Sequence, residues 1–291
     1  MGTETDGDRT YFVYSGGEFH YPFNFINQGN SFGEYGLGFL LFVDGIPQPY
    51  RMNDAQEESY MQVIYPGQSS DLEPLEYEFV FTPVSGSHGE FVEFSVAIVQ
   101  YPRYYAEASR GIQNTTCLGI SHVTLYFEDN PPVQILPEFS DRQLSYTVSY
   151  ENLTDADIAG YSSAEFNSIL DWNFFADGKA QGIHYNIIEN DTINIHYELF
   201  GCKEMEYSLI LFVDNEPVYV DPAQTHVVAR SGEKTVIDAQ VDLSDFDGRC
   251  LVYAVLICRN YWELSSQGVA FSGPSIIASY PVYYVSEASF S

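Results

Sequence analysis

The chain has 291 residues, with 41 Asp and Glu against 11 Lys and Arg, for a formal net charge of -30. A field of that sign repels DNA, RNA and anionic membranes, so nucleic-acid binding is the least favoured broad class. Hydrophobic residues at 45% and aromatics at 16%, among them 24 Tyr and 21 Phe, exclude extended disorder and favour strands.

Met1 to Thr10 is polar and acidic, so it reads neither as a signal peptide nor as a basic arm. For an exported chain the expectation is a leader or anchor absent from this sequence. No apolar run reaches bilayer-spanning length, so direct membrane insertion is not predicted. Tyr11–Tyr14 is a first strand. Phe19, Tyr21, Phe23 and Phe25 then alternate with smaller or more polar residues, the period of a strand with one buried face. Residues 36–43 are an apolar run that ends in Asp44-Gly45, a turn dipeptide that tolerates positive φ. A short edge strand with Pro47 follows. Tyr60–Tyr65 and the alternating Tyr77, Phe79 and Phe81 are further strands. Phe91–Val99 turns Val92, Phe94, Val96 and Ile98 to one face and Phe91, Ser95, Ala97 and Val99 to the other, so it is predicted to be central and partly buried on both sides, and Leu118–Phe127 closes the set.

Asp129, Asn130, Pro131 and Pro132 break the pattern, which places a boundary near residue 135. The first domain is assigned to 10–130 and the second to 138–291. Leu144, Tyr146, Val148 and Tyr150 open the second domain. An insertion around 152–182 has no counterpart in the first, and Ser162 with Glu165 has capping-box spacing for a short helix there.

Residues 206–220 then repeat residues 36–50. Phe42 and Phe212, Asp44 and Asp214, and Pro47 and Pro217 each stand 170 apart, and Phe91–Val99 matches Cys250–Cys258 at an offset of 159. The strand at Ile193–Leu199 precedes the second turn; Val227–Ala229, Thr235–Val241 and Ile276–Val285 follow it. So many half-apolar strands without a long amphipathic helix imply an all-β chain. The predicted architecture is two tandem antiparallel β-sandwich domains, immunoglobulin-like, the second with a short helical insertion. Phe42 should superpose on Phe212 and Val96 on Val255.

Cys117, Cys202, Cys250 and Cys258 do not form a disulfide framework. Cys250 and Cys258 fall on one strand face, and Cys202 bridging to either is the alternative to buried thiols. His20, His88, His122, His184, His196 and His226 are scattered without metal-ligand spacing, so neither a structural zinc nor a cofactor is predicted. Asp238, Asp242, Asp245 and Asp247 are a weak calcium candidate whose spacing fails the EF-hand loop, and a hairpin turn is the favoured explanation for them. Phosphate-loop, zincin and nucleophile-elbow motifs are absent from the sequence.

After each central strand an arginine meets adjacent aromatics: Arg103, Tyr104 and Tyr105 in the first domain, Arg259, Tyr261 and Trp262 in the second. Aromatic faces stack on sugars or anchor protein partners, and these six residues are the candidate ligand-binding set. Plugging the ends of the two cores is the plainer use of the aromatics. The function expected is a non-catalytic extracellular or cell-surface interaction or adhesion module, bacterial in character, with a protein or glycan partner. A carbohydrate-binding module using the aromatic loops is the alternative. A carboxylate-dependent hydrolase comes last, since two carboxyls facing a cleft cannot be read from strand sequence.

Overall fold

The computed structural model describes residues 3–6, 9–26, 33–66, 74–103, 117–133, 144–159, 171–176, 179–180, 185–187, 192–200, 204–218, 226–243, 249–259, 276–278 and 282–285. The chain divides into two compact units, Met1–Tyr104 with Gln113–Pro137 and Tyr105–Ile112 with Glu138–Ser291. Both are almost entirely β. Helix among the described residues is limited to a 3-10 turn at Gly33–Tyr35 and one α-helical turn, α1, at Asp155–Ile158. No helix among them is long and apolar enough to cross a membrane.

Unit 1 contains β1 (Thr3–Asp6), β2 (Arg9–Tyr14), β3 (Phe19–Phe25), β4 (Leu37–Val43), β5 (Ile46–Gln48), β6 (Arg51–Met52), β7 (Met61–Ile64), β8 (Leu75–Phe81), β9 (Phe91–Gln100) and β10 (Cys117–Phe127). Its larger sheet runs β1-β2-β10-β9-β4-β5 with β7 also beside β4, and its smaller sheet runs β3-β8-β6. Phe19, Phe23, Phe79 and Phe81 from the small sheet meet Phe39, Leu41, Phe94, Val96, Leu125 and Phe127 from the large one in a single core. Unit 2 contains β11 (Leu144–Asn152), β12 (Asp171–Ala176), β13 (Lys179–Ala180), β14 (Tyr185–Ile187), β15 (Thr192–Phe200), β16 (Met205–Val213), β17 (Glu216–Val218), β18 (His226–Ala229), β19 (Glu233–Asp242), β20 (Arg249–Cys258), β21 (Ile276–Ala278) and β22 (Val282–Val285). Its sheets run β14-β22-β20-β16-β17, with β18 beside β16 and β21 beside β20, and β11-β19-β15-β12-β13. Again two apolar faces share one core.

The two large sheets repeat one plan. In each, a long strand turns back through a two-residue hairpin into a three-residue edge strand. It then pairs on its other side with a ten-residue strand. Asp44 and Gly45 lie at φ 53 and 71, Asp214 and Asn215 at φ 51 and 69. Positive φ at both central positions is the type I′ geometry whose twist suits adjacent strands. The amide of Asp44 donates to the Glu93 carbonyl at 2.8 Å, and that of Asp214 to the Leu251 carbonyl at 2.8 Å. Each large sheet also has one parallel pair, β2 with β10 and β14 with β22, which the expectation of wholly antiparallel sheets did not contain.

Register corrects the repeat by one residue. Phe42 faces Ser95 and Phe212 faces Tyr253, so the first strands differ by 170 and the second by 158, not 159. Val96 therefore corresponds to Ala254, both on the core face, while Val255 lies outside that core set. A one-residue slip in a strand inverts every facing. The strands are equivalent; the expected pairing of Val96 with Val255 is not.

The predicted helix at Ser162 lies outside the described residues. The helical turn present is α1, seven residues earlier, capped by Thr154. The Thr154 hydroxyl accepts from the Asp157 amide at 3.3 Å while the Asp157 carboxylate accepts from the Thr154 amide at 2.8 Å. Within the same stretch β12 extends the smaller sheet beyond β15. Cys250 and Cys258 are buried on the core face, and Cys202, the expected alternative partner of either, lies outside the described residues.

Two buried polar side chains stitch unit 1 together. Gln48 donates to the carbonyls of Pro49 at 2.7 Å and Thr82 at 2.9 Å and accepts from the Val84 amide at 2.9 Å, tying β5 to the segment after β8. Tyr50, fully buried, donates to the Phe39 carbonyl at 2.8 Å and accepts from the Gln62 amide at 3.1 Å. Burial pushes its phenol well above the usual range. Tyr50→Phe removes the oxygen but keeps the ring, leaving two backbone groups short of a partner. The expected loss is about 1–3 kcal/mol of unfolding free energy in denaturant titration. An unchanged midpoint contradicts this role.

Candidate binding surfaces

Arg103 emerges from β9 at the end of unit 1's large sheet. Tyr101 takes φ 54, and its amide donates to the Gly36 carbonyl at 3.0 Å; the Arg103 amide donates to the Tyr35 carbonyl at 3.4 Å. These bonds hold the loop against the 3-10 turn. The exposed guanidinium donates from Nη1 to the Tyr65 hydroxyl at 2.5 Å, with its carbon 5.7 Å from the Tyr65 ring centroid. Tyr65 is 49% exposed. Gly36 allows this approach: at φ +71 it takes a conformation that L side chains rarely adopt, and a Cβ there would lie 2.4 Å from Val63 and 3.2 Å from the Tyr65 ring. The structure thus gives Arg103 an exposed aromatic neighbour that the sequence reading missed.

Tyr104, Tyr105, Tyr261 and Trp262 lie outside the described residues. Arg259 is half-buried, and its amide donates to the Glu206 carbonyl at 2.8 Å. By the 170 and 158 offsets, that bond matches Tyr101 to Gly36, so Arg259 stands where Tyr101 stands and not where Arg103 does. The two arginines are not equivalent. Of the calcium candidates, Asp242 is exposed at the end of β19, Asp245 and Asp247 lie outside the described residues, and Asp238 is engaged by a histidine. Among the described residues, no three acidic, histidine or cysteine side chains cluster to hold a metal ion.

A second surface lies on the smaller sheet of unit 2. β19 is the middle of three long strands, and Thr147, Asp238 and His196 are cross-strand neighbours, as are Ser145, Gln240 and Asn194. Their alternation with Tyr146, Ile195, Ile237 and Ala239, which pack on the core, turns them to solvent. His196 meets Asp238 Oδ1 through Nδ1 at 2.7 Å and Glu198 Oε1 through Nε2 at 3.4 Å. Lys234 continues the chain of charges, with Nζ 3.2 Å from Glu198, 3.3 Å from Glu151 and 3.8 Å from Asp157. Beside this network is an open groove of about 300 Å³.

Two histidines have opposite environments. Partial burial works against charge on His196, but hydrogen bonds and negative charge from Asp238 and Glu198 outweigh it and raise its pKa. His122, on β10 in unit 1, lies 2.9 Å from Ser95 Oγ and 3.8 Å from Glu93, and burial lowers its pKa to about 4.

No protein-family model matches the chain, and no curated protein matches it in sequence. Among solved structures, the chain is similar to the Salmonella enterica SafA pilin in complex with the SafB chaperone. That match has 13% identity and a TM-score of 0.25, covering 95% of this chain and 93% of that one. It is similar to the YadV chaperone at 10% identity and a TM-score of 0.23, over 93% and 96% of the two chains. The CsuC-CsuE chaperone–tip adhesion subunit pre-assembly complex of Acinetobacter baumannii gives 10% identity and a TM-score of 0.22, over 95% of each chain. At these scores the likeness assigns neither family nor activity.

The histidines generate opposed pH effects. A raised folded pKa makes the His196 contribution full below about pH 6.5 and lost as pH rises through the folded value. A lowered folded pKa makes the His122 contribution full above about pH 6.5 and lost as pH falls toward 4. Histidine NMR titration should place the two on opposite sides of the ordinary value. The thermal-midpoint gap between wild type and His196→Gln should narrow as pH rises. A gap that widens with pH contradicts the carboxylate clasp.

Proposed function

We propose that the chain is a non-catalytic interaction protein of the extracellular space or cell surface, bacterial in character, built from two tandem immunoglobulin-like β-sandwiches. The proposed domain limits are 10–130 and 138–291, with an insertion around 152–182. Its contact surface is the end of unit 1 that presents Arg103. The observation that carries this reading is the exposed guanidinium held at the exposed phenol of Tyr65. One N–H is used on Tyr65, and guanidinium has five. The remaining donors face outward beside a flat ring, on a rigid sheet end, in a chain whose surface is otherwise strongly acidic. That combination favours a partner with a carboxylate or other acidic group presented next to an apolar face.

Tyr104 and Tyr105, next in sequence, extend this surface in the proposal, and Arg259, Tyr261 and Trp262 supply a second set in unit 2. The partner is a protein or an acidic glycan, and no cofactor is invoked. A carbohydrate-binding module is the alternative within the same surface, since an aromatic ring beside a charged donor also suits a sugar.

The test is retention of the purified chain on immobilised extracellular-matrix proteins and on an array of sialylated, sulfated and neutral glycans. Wild type should be retained on at least one acidic surface. Arg103→Ala and Tyr65→Ala should each weaken retention about tenfold or more, equivalent to about 1.4 kcal/mol. Undiminished binding by both variants, or no retention on any acidic surface, contradicts the reading.

A further inference from the structure

We infer that the solvent face of the smaller sheet in unit 2 carries a binding groove for a neutral, hydroxyl-rich ligand, a saccharide. The inference stands on the strands β11, β19 and β15 and uses neither Arg103 nor Tyr65.

The groove is lined by Ser145 and Thr147 from β11, Asp238 and Gln240 from β19, and Asn194 and His196 from β15. Its volume, about 300 Å³, is at the small end of ligand pockets, suited to one or two sugar rings. The walls are rigid. Each of the three strands is nine or ten residues long, and β19 is paired on both sides over 234–241. The side chains are fixed by bonds among themselves as well. Gln240 Nε2 donates to Asn194 Oδ1 at 3.2 Å, and Asp238 Oδ1 is held by His196 at 2.7 Å.

What the lining offers decides the ligand. Asp238, whose side chain is 61% exposed, keeps a second carboxylate oxygen toward solvent. Gln240 keeps its carbonyl oxygen and one N–H, and the hydroxyls of Ser145 and Thr147 each both donate and accept. Acceptors and donors therefore alternate across neighbouring strands about 5 Å apart. A polyol presents hydroxyls that also donate and accept, so vicinal hydroxyls satisfy such a surface pair by pair. A simple anion cannot, and Asp238 and Glu198 place two carboxylates around the single imidazole of His196 in a chain of net charge -30. A bound divalent cation is equally disfavoured, because among the described residues no three ligating side chains converge.

The experiment is a glycan array carrying neutral and acidic glycans, probed with wild type, Gln240→Ala, Thr147→Lys and the Arg103→Ala/Tyr65→Ala double variant, each checked for native circular dichroism. Wild type should be retained on at least one neutral glycan. Gln240→Ala should weaken that retention about tenfold, Thr147→Lys should abolish it by filling the groove, and the double variant should keep it. A soluble neutral oligosaccharide of the retained structure should elute the chain. Absence of neutral-glycan binding, retention unchanged by both groove substitutions, or retention that only a protein-bearing form of the glycan supports overturns the inference. Loss in the double variant alone assigns the sugar to the Arg103 surface and likewise overturns it.

Discussion

Two pairs of strands buried on both faces hold this protein together: β4 against β9 in unit 1 and β16 against β20 in unit 2. Phe39 and Leu41 turn to one side of β4 and Leu40 and Phe42 to the other, and all four are buried. On β16, Leu209 and Leu211 oppose Ile210 and Phe212 in the same way. Full burial of such a side chain contributes about 1.5–3 kcal/mol, so doubling the buried faces makes these strands the costliest to displace. Phe212 and Tyr253, directly opposite across the ladder, stack at 5.1 Å with their planes 8° apart. The type I′ turns fix where each first strand ends, and the amides of Asp44 and Asp214 pin those turns to the neighbouring strand. Everything else is registered from that pair.

Polar chemistry is displaced to what the central strands leave over. Loops past the strand ends present Arg103 beside Tyr65. The second sheet of unit 2, apolar only toward the core, presents His196, Asp238, Gln240 and their neighbours. With 41 acidic residues and 11 Lys and Arg, cations are scarce, and several are committed to local work. Lys234 sits among three carboxylates, Arg51 meets Glu18, and Arg230 lies over the Tyr150 ring at 3.6 Å while reaching Glu233. Arg103 instead meets a neutral phenol, which is why its charge is informative.

The hairpins were legible because two-residue turns between apolar runs carry their own signal in Asp44-Gly45 and Asp214-Asn215. So was the double burial of 92–99, where Val92, Phe94, Val96 and Ile98 fill one face and Ala97 and Val99 lie on the other beside buried Glu93 and Ser95. That same property hid the register: with β20 apolar on every position from Leu251 to Cys258, letter matching has no phase, and it selected Val255 where the ladder selects Ala254. Alternation also says nothing about direction, so the parallel pairings of β2 with β10 and of β14 with β22 left no local trace. The site partners were invisible for a related reason. Tyr65 is 38 positions from Arg103 and reaches it because β7 and β9 flank β4; Asp238 is 42 from His196 and meets it only through the β15–β19 register. A histidine scattered in sequence, His196, became an imidazole clasped between two carboxylates in space.

The most direct measurement is residue-resolved amide hydrogen exchange under native conditions. Amides of β4, β9, β16 and β20 should exchange only through opening of their whole unit, far more slowly than those of the edge strands β1 and β13. Protection of Leu40, Phe42, Ile210 and Phe212 no greater than that of β1 would contradict the claim that these doubly buried pairs hold the fold.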